Sequence, residues 1–207
     1  PKRALTAHAD TLGAMVRQIK PSGRLELTEV GGFAWGSVEG ENCLVHTRHN
    51  GTIRGTILPH EASVHVYENG RDGKRDNRSM EVRLDEPVSN ADETRGLGIE
   101  VGDYVFFEPR VEVINGFIKS RHLDDKACVA VIMAVFKSLH DANLKPAVDT
   151  CFLISNYEEV GHGGSSDIPE GVDELVALDM AAIGDGQASD EFHTAICVKD
   201  AAGPYHH

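Results

Sequence analysis

The sequence has little that could staple a fold, span a membrane or hold a polyanion. Its four cysteines, Cys43, Cys128, Cys151 and Cys197, lie far apart with no C-x-x-C pair. That spacing argues against a disulfide framework and against a thiolate metal site. Cys128 and Cys151 fall inside apolar runs and read as reduced core residues, which fits a reducing, cytoplasmic setting. No apolar run reaches the ~18 residues that a membrane span needs. The start, Pro1-Lys2-Arg3-Ala4-Leu5, lacks the apolar region of a secretory leader. Basic residues are also in deficit, with 20 Lys and Arg against 33 Asp and Glu and a net charge of −13. Such a field repels nucleic acid and anionic membrane, so neither is an expected partner.

What is present divides into three textures along 207 residues, a length that suits one large domain or two small ones. Residues 4–16 are small and apolar around His8 and Asp10, compatible with a strand that delivers His8 to its edge. A lone histidine is ordinarily a satisfied core group, but His-x-Asp spacing also suits an imidazole oriented by a carboxylate. From Val16 to Val113 short β-rich runs recur: 16–19, 24–29, 43–47, 51–57, 80–84, 104–107 and 110–113. Turn residues separate them, Asn50-Gly51 being the strongest hairpin signal, and a small barrel or sandwich follows. His46, His49, His60 and His65 fall here, and alternation along half-exposed strands accounts for them without a metal. Residues 70–79 carry no apolar side chain and predict an exposed, mobile loop. Asn90 to Leu97 predicts a helix capped by Ser89 or Asn90.

The last third predicts a β-helix-β-β pattern. Ala127 to Leu139 is apolar at almost every position and predicts a helix buried on most sides, entered through Asp124-Asp125. One of those carboxylates suits an N-cap; two exceed what capping requires. The run ending at Ser155 predicts a buried strand with Glu158-Glu159 at its carboxyl edge, where open α/β sheets place ligands. Glu174–Leu178 predicts another buried strand that delivers Asp179. Both ends of the chain read as interrupted sequence: 5–10 begins like the end of a core strand, and a strand-like 194–198 precedes a terminal His206-His207 pair.

His8, Asp124, Asp125, Glu158, Glu159 and Asp179 thus all sit at element termini. Imidazole with several carboxylates suits one or two divalent cations, zinc, manganese or cobalt before calcium. An aspartate bridging two ions would explain the excess of carboxylates. If Glu158 and Glu159 are locally extended, they point to opposite sides. One could then hold an ion while the other serves as a base, a geometry unsuited to the paired carboxylates of a glycosidase.

Five motifs in order, His8-Ala9-Asp10-Thr11-Leu12-Gly13, Val30-Gly31-Gly32-Phe33, Leu123-Asp124-Asp125-Lys126, Asn156-Tyr157-Glu158-Glu159-Val160-Gly161 and Ala177-Leu178-Asp179-Met180, carry a family likeness. The chain resembles the TET-type dinuclear metalloaminopeptidases, tetrahedral self-compartmentalising enzymes that include glutamyl and deblocking aminopeptidases. The resemblance implies an α/β peptidase sheet domain, incomplete here, over 1–15 and 114–207. It implies an inserted small β-barrel, PDZ-like and used for dimerisation, over 16–113. It further implies that His8, Asp124, Glu159 and Asp179 hold two divalent ions, zinc before cobalt or manganese. Asp124 would bridge them across a cis bond to Asp125, with Asp10 orienting His8 and Glu158 as general base. Peptides would be the substrates, and dimers building a tetrahedral dodecamer the assembly. The family's last ligand is a histidine well downstream of Asp179. His193, His206 and His207 come too early for it, so the second ion's ligand set is incomplete within this chain. Two other readings share these residues: another dinuclear amidohydrolase, such as a carboxypeptidase or deacylase, and a catalytically incomplete fragment that serves assembly.

Overall fold

Strand β1 (Lys2–His8) is followed by six strands, β2 (Gly13–Ile19), β3 (Leu25–Val30), β4 (Asn42–Thr47), β5 (Gly51–Pro59), β6 (Met80–Leu84) and β7 (Tyr104–Phe107), with alternation between core and solvent clearest in β4 and β7. Helix α1 (Ala91–Gly96) lies between the last two. The hairpin strands β8 (Glu112–Ile114) and β9 (Phe117–Lys119) lead into helix α2 (Leu123–Asp141), then β10 (Asp149–Ser155) and β11 (Glu174–Ala177). This computed structural model describes residues 2–164 and 166–206; Pro1, Ser165 and His207 lie outside the described residues.

The chain divides into two compact units. One holds Asp10–Leu123 with the stretch from Asn156. The other holds the chain up to Ala9, Asp124–Ser155 and the stretch from Ser166 onward.

The first unit is built on a closed barrel of order β2-β3-β6-β5-β4-β7. Alternation explains it: Cys43, Val45, Val105 and Phe107 point inward, while Leu44, His46, Tyr104 and Phe106 point outward. Leu25, Leu27, Ile57, Met80, Val82 and Ile99 complete a core of mainly aliphatic side chains. Asn50-Gly51 marks the β4–β5 hairpin as expected, and Gly51 takes φ 77°, a left-handed conformation open to glycine. Asn90 caps α1 by accepting from the N–H groups of Asp92 and Glu93. Strand β8 pairs with β9 and stands outside the barrel, where the sequence predicted one more strand of the same set. Residues 70–79 form no regular element, yet Arg75 ties them down by donating to both oxygens of Glu39 (2.7 and 3.1 Å). A polar loop can be held by its own charges where apolar anchors are missing.

The barrel's unit also holds a buried charge. Glu81, 1% exposed, accepts from Lys20 Nζ (2.8 Å) and Arg24 Nη1, with His60 Nδ1 at 3.4 Å. Burial raises its carboxyl pKa, but Lys20 and Arg24 outweigh burial and hold it below the usual range.

The second unit is a parallel sheet of order β10-β1-β11 with α2 beside it. Central β1 is mostly buried, and Ala4 and Ala7 pack there at almost zero exposure. Phe136 of α2 packs on Phe152 of β10 with ring centroids 4.8 Å apart. Three expectations are corrected in this unit. Beyond Asp125, α2 buries only Ile132, while Val131, Met133 and Val135 are exposed. Strand β11 forms but is exposed throughout, and β10 is only half-buried. The strand-like run 194–198 forms no strand. Apolar composition records what a segment is suited to pack against, and the described residues cover only one side. The cysteines shift in the same sense: all four are free, but Cys43 in the barrel is the buried one, and Cys128 and Cys151 are half-buried.

Because Glu81 is depressed when folded, its contribution to stability is complete above the ordinary carboxylate pKa and is lost as pH falls through the folded value. Glu81→Gln is expected to cost ~2 kcal/mol at neutral pH, since it leaves Lys20 and Arg24 partly unpaired. The gap between wild type and variant in denaturant unfolding should shrink as the buffer is acidified below about pH 4.

Candidate metal centre

The ends of three parallel strands meet at one level. In register, His8 of β1 stands opposite Ser155 of β10. Leu178 N–H donates to Thr6 O just past β11, which carries the chain to Asp179. Helix α2 begins beside this edge. Its first residues, Asp124 (φ −79°, ψ 107°) and Asp125 (φ −119°, ψ 25°), are not helical, and the bond between them is cis, as the resemblance implies. Lys126 Nζ donates to Ala9 O at 2.6 Å.

His8 is 2% exposed. Its Nε2 lies 3.2 Å from Asp124 Oδ1, and its backbone N–H donates to Asp125 Oδ2 at 3.1 Å. His8, Asp125 and Asp179 each offer one ligand atom, all within 4.8 Å of one another. Burial raises the Asp179 carboxyl pKa and the charge of Asp124 adds to that, against the Met180 N–H that it accepts at 2.6 Å and the imidazole of His8. Burial likewise pushes the Cys128 thiol up to about 12, with Asp125, Asp179 and Asp124 contributing.

One imidazole with three carboxylates is the donor set of a zinc-, manganese- or cobalt-type ion. The fit is supported by Asp125 Oδ1, a buried oxygen with no hydrogen-bond partner. An unpaired buried carboxylate oxygen is costly, and a cation relieves it.

Asp10, Glu158 and Glu159 belong to the barrel's unit. Asp10 spreads its carboxylate across two successive N–H groups: Oδ1 accepts from Glu158 (3.2 Å) and Oδ2 from Glu159 (3.1 Å). Here the structure departs from the predicted extended pair. Tyr157 takes φ 68°, and Glu158–Val160 is a 3-10 turn that ends at Gly161 (φ 79°). Neighbouring side chains in such a turn diverge by about 120°, not the 180° of a strand. The two glutamates still point apart, for a different reason. The turn exposes N–H groups with no partner inside it, and Asp10 supplies the acceptor. Gly31, at φ 78°, backs the same turn: a Cβ there would stand 2.5 Å from Leu12 Cδ2 and 3.3 Å from Glu159 Cβ.

The sequence reading missed two roles. Asp125 contributes as much geometry as Asp124, and the doubled Asp-Asp was the available signal. Asp10 clamps the Glu158–Glu159 turn, for which a pairing 148 residues away gives no local signal.

Asp10→Ala frees both N–H groups and should lower stability by about 1–2 kcal/mol, a few degrees of melting temperature. Gly31→Ala must combine a left-handed φ with that crowding and should cost at least as much. Thermal unfolding of the two variants checks both values, and an unchanged melting temperature would contradict the clamp.

A family model described as M42 glutamyl aminopeptidase matches residues 1–207. YhfE, a candidate aminopeptidase of Bacillus subtilis strain 168, is 53% identical over 206 residues, which is 99% of this chain and 60% of YhfE. Aminopeptidase APDkam598 of the archaeon Desulfurococcus kamchatkensis superposes with a TM-score of 0.76 at 26% identity, covering 96% of this chain and 53% of its own. The TET1 peptidase of Pyrococcus horikoshii, which can assemble into a tetrahedron or a large octahedral shell, shares the fold. Its TM-score is 0.64 at 23% identity, over 77% of this chain and 46% of its own. The chain thus spans between about half and three-fifths of the length of these relatives. With a family model matched over all 207 residues and a relative at 53% identity, the chain belongs to the M42 glutamyl aminopeptidase family.

Proposed function

We propose that this chain carries the greater part of the active site of a metal-dependent aminopeptidase that removes N-terminal residues from peptides. The observation that carries the reading is the gathering of His8, Asp124, Asp125 and Asp179 at the carboxyl end of a parallel sheet. His8, Asp124 and Asp179 would hold one divalent ion, with Asp124 shared with a second ion held by Glu159. Zinc suits this donor set, with cobalt and manganese as substitutes. Two such ions would polarise the scissile carbonyl and acidify a water. Glu158 would act as general base toward the attacking water and return the proton to the leaving amine. Asp10 positions Glu158 and Glu159 through their backbone and orients His8. The acidic surround favours a substrate that enters with its free ammonium group.

The second ion would need one more ligand than these residues offer.

Self-association has its own support. Leu44 pairs with Phe106 and His46 with Tyr104 across β4 and β7. The Tyr104 and Phe106 rings stack parallel (3°) on the barrel's outer face, and Leu44 is exposed beside them. An apolar stripe of this kind suits a dimer contact, from which a tetrahedral dodecamer like that of the TET relatives would be built. Four free thiols fit a cytoplasmic setting.

In the intact protein, peptides and aminoacyl substrates with a free amino terminus should be hydrolysed. Chelation should remove the activity, and zinc, cobalt or manganese should restore it. Hydrolysis of N-acyl substrates alone would overturn the aminopeptidase reading in favour of a deacylase. Glu158→Gln is expected to lower kcat by about 10²–10⁴-fold with bound metal retained; an unchanged kcat would remove Glu158 from the base role.

A further inference from the structure

We infer that Asp125 is a positioning residue of the metal centre, one whose buried negative charge ties the end of β1 to the ion at His8. The inference rests on the metal reading above and adds a residue that the family resemblance leaves without a role. Asp125 is 1% exposed. One of its oxygens is spent on the backbone of a ligand residue, since Oδ2 accepts from His8 N–H at 3.1 Å. The other, Oδ1, has no hydrogen-bond partner. Among the described residues no lysine or arginine pairs with it; Lys126, next in sequence, donates to Ala9 O instead. Nor does it serve as an ordinary helix cap, because Oδ2 accepts from β1 and Oδ1 accepts from no N–H of α2.

A carboxylate buried this deeply with half its acceptor capacity idle is a poor choice for stability alone. Its neighbours explain it. The ring of His8 and the carboxylate of Asp179 lie within 4.8 Å, so the uncompensated charge faces the place where a cation belongs. Oδ2 fixes where the His8 backbone sits, and that fixes where its imidazole can reach. The charge then makes the pocket unfavourable when empty and favourable when filled. Residues that orient ligands in this way change metal affinity by about 10–100-fold when removed.

The test uses the intact protein and Asp125→Asn, which keeps an oxygen for the His8 N–H and nearly the same volume but removes the charge. Zinc affinity is measured by chelator competition, and melting temperature with and without zinc. The expected result is about 10–100-fold weaker zinc binding, a smaller zinc-induced rise in melting temperature, and a metal-free variant at least as stable as metal-free wild type. A merely structural role predicts an equal loss of stability with and without zinc at unchanged affinity, and that result would overturn the inference. Wild type that binds no zinc would instead overturn the metal reading itself. Should the amide variant fail to fold, Asp125→Ser keeps an oxygen donor atom without charge, and the same readings decide.

Discussion

The constraint on which this structure turns is negative charge gathered around a buried imidazole. His8 ends the central strand of a parallel sheet, where small residues let its neighbours close in. Asp124, Asp125 and Asp179 arrive there from a helix start and a strand end. Carboxylates so placed repel one another, and the raised Asp179 carboxyl records that repulsion together with its burial. Sequences keep such arrangements where a cation completes them. The barrel handles charge differently: Glu81 is as buried as Asp125, yet Lys20 and Arg24 neutralise it from within the protein. The contrast separates a structural carboxylate from one that needs a partner from outside.

Each unit contributes a different kind of order. The sheet supplies register: parallel pairing sets His8 level with Ser155 and brings the chain past β11 to Asp179. The barrel's unit supplies a tight turn that Asp10 holds by two backbone hydrogen bonds. A base placed through its backbone owes its position to the turn, which suits the role proposed for Glu158.

Much of this was legible in the sequence, and for identifiable reasons. Short β-rich runs marked Cys43 to Thr47 and Tyr104 to Phe107 as strands, which alternate with one buried face, and Asn50-Gly51 marked the β4–β5 hairpin. Asn90 was readable as a cap because capping is a local hydrogen bond. Local rules failed where the deciding contact is distant. The sequence carries no sign of the turn at Glu158–Val160, because the acceptor that stabilises it, Asp10, lies 148 residues earlier. Asp125 stands among the candidate carboxylates in the sequence but without a role of its own, because its partner, the His8 N–H, lies 117 residues away. The apolar face of α2 was read as buried because hydrophobicity reports suitability for burial, while burial depends on what else is present.

The central claim is that the charge around His8 is completed by a divalent ion. Anomalous diffraction from crystals of the intact protein grown with zinc, recorded on both sides of the zinc absorption edge, tests it most directly. The account predicts a zinc peak within ~2.0–2.2 Å of the His8 ring nitrogen and of carboxylate oxygens from Asp124 and Asp179. Zinc found only elsewhere on the molecule, with these side chains free of it, would contradict the account.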